Sequence, residues 1–346
     1  MVTNAAAPAS NQTVIVTSYT HGVPGPDQLS VTEKPIPAPG PGQALCRTLF
    51  VSLDPYLRLS LLPPETHVPT GGGPLPIGEV MPGRGVAEVV ESRIEGLRPG
   101  DVVTYVTGWQ AYSLCGAGDY RRVDAASPPS AALGVLGMPG FTAWSGLKFI
   151  GRPEPGQTVA VSAASGAVGS LVAQLARRWG CRSVGIAGSD EKCNWVRQEL
   201  GADECVSHRS RQLDQDLAKA CPDGIDVYFD NVGGDVLAAV LPNMNRHGKI
   251  VVCGRISHLN EEPGHGAGDR MPLLLGSILT RSLTVQGFTW AELAGHWDEF
   301  TAEVGPLVAA GEIRFREDVV EGLGQIPDAF GRLFSGDNFG KLVVRV

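Results

Sequence analysis

The chain predicts an α/β fold in two domains: an all-β portion followed by a doubly wound parallel sheet. Three observations lead there. At 346 residues the chain exceeds one ordinary domain. Residues 13–135 carry short alternating apolar runs broken by Pro and Gly, the pattern of a loop-rich β unit. From residue 158 onward, apolar runs of strand length alternate with helical periods, which implies parallel strands joined by crossover helices.

The elements follow in order. QTVIVTSY, QALCRTLFVSL, GRGVAEVVES and GDVVTYV read as strands, and PIPAPGPGQ is too proline-rich for a strand interior, so it predicts a surface turn. TVAVSAA (158–164) reads as a buried strand and AVGSLVAQLARRWG as a helix closing on Gly180. RSVGIAGS, CVSH, IDVYFDNV, GKIVVCG and SLTVQGF supply five further strands, with helices through EKCNWVRQELG and 234–242. After a helix near 291–310 the chain returns to β character and ends in GKLVVRV, a strand expected to rejoin the first domain.

Hydrophobic residues at 43% suffice for two cores, and the net charge of −8 argues against nucleic acid or an anionic membrane as partner. Seven cysteines without C-x-x-C spacing fit a reduced compartment, so a cytoplasmic location is expected. The opening MVTNAAAPASNQT lacks the basic region and apolar stretch of a signal peptide and reads as a disordered tail over 1–12. No apolar run has the length of a membrane span.

The strongest motif is the strand-to-helix turn Ala164-Ser165-Gly166-Ala167-Val168-Gly169, which is G-x-G-x-x-G with Ala in first place. Gly166 would let the backbone approach a pyrophosphate, and Gly169 would let the helix close on the sheet. Bare glycine spacing marks many ordinary turns; here it lies between a strand and a helix, the context a Rossmann dinucleotide site requires. The next strand ends Ala187-Gly188-Ser189 without the carboxylate that would bind a ribose 2′-OH, and Lys192 follows. Ser189 and Lys192 suit a 2′-phosphate, hence NADPH. The alternative makes Ser189 an N-cap, Asp190 a helix-dipole partner and Lys192 a solvated surface charge; cap and phosphate contact can coexist, though Asp190 would partly oppose the phosphate.

These stretches carry a family resemblance. GMPGFTAWSGL, AASGAVGS, GSDEK, FDNVGG, GKIVVCGRIS, SGDNFGKLVV and FVSLDPYLR resemble, in order, the zinc-independent medium-chain dehydrogenase/reductases of the prostaglandin, curcumin and 2-alkenal reductase type. The resemblance runs from about residue 13 to 346. It implies a GroES-like substrate domain (13–138 and 312–346), a Rossmann NADPH-binding domain (139–311), a cleft between them, and a homodimer.

By position, the resemblance carries cofactor roles onto Ala167, Val168 and Gly169 at the pyrophosphate and Lys192 at the 2′-phosphate. It adds Asn231, the 253–259 segment with Cys253, Gly254 and Ile256, the run Phe288, Thr289 and Trp290, and Asn338. Asn231 and Asn338 could also be plain turn residues. Thr142 could reach the nicotinamide or bond its own helix backbone.

The chain departs from the family twice. His208 stands where the family often has Tyr near the adenine-ribose phosphate, and it can still donate a hydrogen bond. Leu259 replaces the Tyr of the segment Cys253-Gly254-Arg255-Ile256-Ser257-His258-Leu259-Asn260, which removes the usual proton relay. Zinc ligation is not expected. Ile77-Gly78-Glu79 lacks the His of zinc-bearing relatives, Cys115 stands alone, and His258 and His265 read as loop residues rather than ligands.

The predicted reaction is NADPH-dependent reduction of the C=C bond of a small enone or enal. Hydride reaches the β-carbon, and the resulting enolate is protonated at the α-carbon. The cofactor ribose 2′-OH, Tyr56 and His258 are the candidate oxyanion partners, with Tyr56 as core packing the plain alternative. Arg58 reads as structural. The rival readings are a quinone or carbonyl reductase on the same scaffold, or a weakly catalytic NADPH-binding protein.

Overall fold

The computed structural model describes residues 10–66, 73–260 and 270–346. The chain divides into two compact units. One takes the residues up to Leu133 with Val319–Asp337 and Leu342–Val346; the other takes Gly134–Asp318 and Asn338–Lys341.

The first unit opens with β1 (Asn11–Val16) and β2 (Leu29–Lys34), then β3 (Gln43–Ser52), β4 (Arg84–Ser92), β5 (Val102–Val106), β6 (Tyr112–Gly116) and β7 (Arg121–Arg122). The expected tail over 1–12 is corrected at its end, because Asn11 and Gln12 already belong to β1. Asn11 is held there by a reciprocal pair of bonds: its amide donates to the Tyr112 carbonyl at 2.9 Å and its Oδ1 accepts the Tyr112 N–H at 2.8 Å. Residues 1–9 lie outside the described residues, as does His265.

The second unit begins with α1 (Met138–Ser145) and continues with β8 (Thr158–Ser162), α2 (Gly169–Arg178), β9 (Arg182–Ala187), α3 (Asp190–Gln198), β10 (Glu204–Ser207) and α4 (Leu213–Ala220). It goes on through β11 (Ile225–Asp230), α5 (Gly234–Val240), β12 (Met244–Val252), α6 (Met271–Arg281), β13 (Thr284–Gly287) and α7 (Trp297–Ala309). The chain then forms β14 (Glu317–Glu321), α8 (Ile326–Ser335) and β15 (Lys341–Arg345).

Among the described residues, β14, β15, β3, β4, β5 and β7 form one sheet in that order, with β6 also on β3. β3 pairs antiparallel with β4, β6 and β15, so the C-terminal strand does return to the first unit's sheet. Helix α8 interrupts the β character expected there. Its residues Ile326, Phe330 and Leu333 fall at helical spacing on one face and enter the core around Trp109, whose ring meets Phe330 edge-on at 5.2 Å.

In the second unit the six parallel strands run β10-β9-β8-β11-β12-β13. β8 is buried along its whole length, as a central strand covered on both faces must be. The order is that of a Rossmann sheet, and it reverses between β8 and β11. The α/β class, with a β domain and a doubly wound parallel sheet, is thus the architecture the periodicity predicts.

Candidate active site

In open parallel sheets, ligands sit beyond the carboxyl ends of the strands where the order reverses. Here that edge is built around Asp230, 2% exposed at the end of β11. Its Oδ1 accepts from the Tyr228 hydroxyl at 2.9 Å, from Ser162 Oγ at 3.2 Å, and from the N–H groups of Val232 and Gly233, both at 2.9 Å. Its backbone oxygen accepts the N–H groups of Cys253 and Gly254 at 2.9 and 3.0 Å. One carboxylate and its carbonyl therefore tie together the ends of β8, β11 and β12. Asn231 closes the same knot: its N–H goes to Ser162 Oγ and its side-chain amide to the Ser162 carbonyl, both at 2.8 Å. The sequence pattern marked Asn231 and passed over Ser162 and Asp230. Their signal was a polar residue ending each of two otherwise apolar strands.

The phosphate turn has the steric form the glycines predict. A Cβ on Gly169 would lie 2.4 Å from the Ala163 carbonyl oxygen and 2.9 Å from the Ala164 Cα, so only glycine lets α2 start this close to the turn. Gly166 is less constrained, with the same oxygen at 3.1 Å. The left-handed residue is Ala163 (φ 50°), one position before the Ala aligned with the first glycine of the motif. The N–H groups of Ala167 and Val168 take no partner among the described residues, and both residues are part-exposed at the head of the ten-residue α2. Unpaired N–H groups at the positive end of a helix dipole are the donors a pyrophosphate needs.

The structure brings the 2′-phosphate candidates together. Ser189 caps α3 by accepting the Lys192 N–H at 3.3 Å, the N-cap role the sequence allowed. Lys192 Nζ donates to the Asn338 carbonyl at 2.7 Å and lies 5.8 Å from the Phe339 ring centre. Arg316 stacks over the other partner of this group, its guanidinium carbon 3.9 Å from the Phe339 centre. His208 stands beside Gly188, where an added Cβ would be 3.2 Å from Nε2. Desolvation, helped by the charges of Arg209 and Lys192, holds the His208 imidazole below the usual histidine range. The result is a patch at the ends of β9 and β10 in which the Lys192 and Arg316 side chains meet at the Phe339 ring, whose backbone N–H donates to Asp318 Oδ2 at 3.3 Å. Arg316 and Phe339 had no local sequence signal.

Segment 338–341 reaches this patch because Gly340 bridges Gly166 and the Lys341 N–H bonds the Arg316 carbonyl at 2.9 Å. A Cβ on Gly340 would sit 2.1 Å from that carbonyl oxygen.

Beyond β12, Gly254 passes so near Asn231 that a Cβ would be 2.9 Å from its carbonyl oxygen. Burial and the Asp230 charge push the Cys253 thiol up to about 12. Ile256 opens the short 3-10 turn that ends at His258. Beyond β13, Phe288 packs edge-on to Phe229 at 6.4 Å and leaves no room for a side chain at Gly146. Thr289 forms a capping box with Glu292, and Trp290 meets Trp297 edge-on at 6.5 Å. The Thr142 hydroxyl donates to the Met138 carbonyl at 2.8 Å, the backbone alternative for that residue. Thr142 remains half-buried, with an oxygen lone pair to spare.

In the first unit, Tyr56 lies on a 3-10 turn (Pro55–Leu61) and is 48% exposed, which corrects the core-packing alternative. A phenol carries its proton at neutral pH, so Tyr56 is a proton-bearing donor. Arg58 is fully buried and donates to the carbonyls of Thr20 and Gly22, a structural role.

Comparison with known proteins finds relatives along nearly the whole chain. A family model described as the N-terminal domain of oxidoreductase matches residues 12–123, and one described as zinc-binding dehydrogenase matches residues 167–309. The chain is 42% identical over 338 residues to the NADPH-dependent curcumin reductase of Escherichia coli strain K12, covering 97% of each. It is 38% identical over 343 residues to the NADP(+)-dependent 2-alkenal reductase of Nicotiana tabacum, covering 97% of this chain and 98% of that protein. CurA from Vibrio vulnificus in complex with NADPH superposes with a TM-score of 0.90 at 40% identity, covering 97% of this chain and 99% of that one.

Proposed function

We propose that this chain, which belongs to the medium-chain dehydrogenase/reductase family with the curcumin, 2-alkenal and prostaglandin reductases, reduces the conjugated C=C bond of enones and enals with NADPH. The observation that carries the cofactor choice is the Lys192–Asn338 contact within that patch, at the point where an NAD enzyme would place a carboxylate.

NADPH, when bound, supplies the hydride that reaches the substrate β-carbon. The chain's own residues bind and orient. The free N–H groups of Ala167 and Val168 take the pyrophosphate; Lys192, with Ser189 and His208 beside it, takes the 2′-phosphate. Gly166 and Gly169 keep the turn low enough for close approach. Asn231, Gly254, Ile256, Phe288, Thr289 and Trp290 line the carboxyl edge of the sheet where the nicotinamide half belongs, with Thr142 as a further contact. Hydride addition leaves an enolate, and its oxygen is the charge to be stabilised. With Leu259 unable to donate, Tyr56 and His258 are our candidates for that task. The site is zinc-free in this reading: Cys115 is buried in the first unit's core against Cys46, and no His stands between Gly78 and Glu79.

We also infer a homodimer. β13 is an edge strand whose four residues are all exposed, and α6 beside it has no buried residue and exposes Leu273, Leu275 and Leu279, the last at 81%. An open edge flanked by apolar side chains is a pairing surface, and a second copy of the same edge would complete it. A cytoplasmic location follows from the cysteine usage. No helix among the described residues is long and apolar enough to cross a membrane.

A panel of enones, enals and quinones, followed by loss of NADPH absorbance, tests the reaction. Enals and enones should be the best substrates. A naphthoquinone turned over far faster than every enone would replace the reading with that of a quinone reductase.

A further inference from the structure

The loop after β12 holds a histidine whose ring state is dictated by its neighbour. Ser257 Oγ lies 2.6 Å from the Val232 carbonyl oxygen and 3.0 Å from His258 Nδ1. A carbonyl oxygen only accepts, so the single hydroxyl proton of Ser257 is committed to Val232. The Ser257 oxygen can then meet His258 only as an acceptor, and the proton between them belongs to Nδ1. In neutral His258, Nε2 is left as a bare lone pair. The ring is seated as well as oriented. Gly233 lies under it with φ 74°, and a Cβ there would come 3.1 Å from Cε1 and 3.2 Å from Nδ1. Gly233 in turn is held by Asp230, so the ring rests on the knot that ties the ends of β8, β11 and β12.

We propose that Ser257 is a positioning residue, which holds neutral His258 in the Nδ1–H form so that Nε2 acts as a hydrogen-bond acceptor. An acceptor cannot stabilise an enolate oxygen directly. A water can stand between, giving one O–H to Nε2 and the other to the enolate oxygen, with no net proton transfer. His258 would thereby orient the donor that Leu259 cannot supply. This use of Nε2 rests on the proposed C=C reduction; the tautomer itself does not.

The test separates the two. Nitrogen-15 NMR of histidine-labelled full-length protein, with His258→Gln to assign the signal, distinguishes Nδ1–H from Nε2–H. The wild type should show Nδ1–H, Ser257→Ala should populate Nε2–H, and Ser257→Thr, which keeps the hydroxyl, should restore Nδ1–H. On the best enone, Ser257→Ala should lower kcat about 5- to 10-fold, the worth of one net hydrogen bond. Ser257→Thr should recover it. A wild-type Nε2–H signal overturns the proposal without need of any variant. So does Ser257→Ala with the wild-type tautomer, or with the wild-type kcat. Absence of enone turnover in a protein with the Nδ1–H tautomer would instead defeat the C=C reading and the role of Nε2 with it.

Discussion

Lys192 Nζ donates to the backbone carbonyl of Asn338 across 146 positions of sequence, at 2.7 Å. That bond places the ammonium beside the Phe339 ring, on which the Arg316 guanidinium also stacks.

Lys192→Ala should raise the KM for NADPH and leave NADH use almost unchanged. A charge-assisted contact is worth about 1.5–3 kcal/mol, so the loss should be roughly 10- to 100-fold. Equal losses with both cofactors would remove Lys192 from the 2′-phosphate site.

The two glycines of the phosphate turn should respond unequally. Gly169→Ala must displace the Ala163 carbonyl, and overpacking of this kind costs about 1–3 kcal/mol. Gly166→Ala asks for a shift of a few tenths of an ångström and should cost clearly less. Denaturation midpoints with and without NADPH would show it; equal costs would mean that the turn is looser than its contacts imply.

Tyr56 is 48% exposed, and a phenol carries its proton at neutral pH, so it can donate. Loss of one oxyanion donor typically lowers the rate by about 10²–10³, and Tyr56→Phe should lower kcat by up to that factor with NADPH affinity unchanged. Leu259→Tyr should raise enone reduction by restoring a phenol to the segment. Wild-type rates in both variants would exclude the phenol from oxyanion stabilisation.

Metal analysis of the purified protein should find no stoichiometric zinc, and chelators should leave activity and folding intact. One zinc per chain retained through chelation would refute the zinc-free reading.

Val285, 39% exposed on β13, is the place to test assembly. Val285→Lys would bury an unpaired charge in a completed edge, at a cost of about 3–5 kcal/mol, which weakens pairing more than 100-fold. Sedimentation should change from dimer to the 36.4 kDa monomer. A wild type that is already monomeric discards the homodimer.

Periodicity and glycine placement are properties of neighbouring residues, and what depends on neighbours was legible in the chain alone. The six strands of the parallel sheet, the turn at 164–169, the cap at Ser189 and the missing carboxylate after β9 all come from residues within a few positions of one another. Helix α8 escaped because it sits between two strands, and its apolar spacing gains meaning only from the core around Trp109 that receives it. The linkage of Ser162, Asp230 and Cys253, the stacking of Arg316 on Phe339 and the return of 338–341 to the phosphate turn were decided by strand order. Strand order places the ends of β8, β11 and β12 side by side, although the chain separates them by whole helices. The same holds for His258. Its residue type is read from the chain, but its proton is placed by a carbonyl at Val232 that only the folded sheet brings within 2.6 Å of Ser257. Hydrogen bonds are short-ranged and directional, so a polar residue's task is settled by the partner that tertiary packing delivers to it.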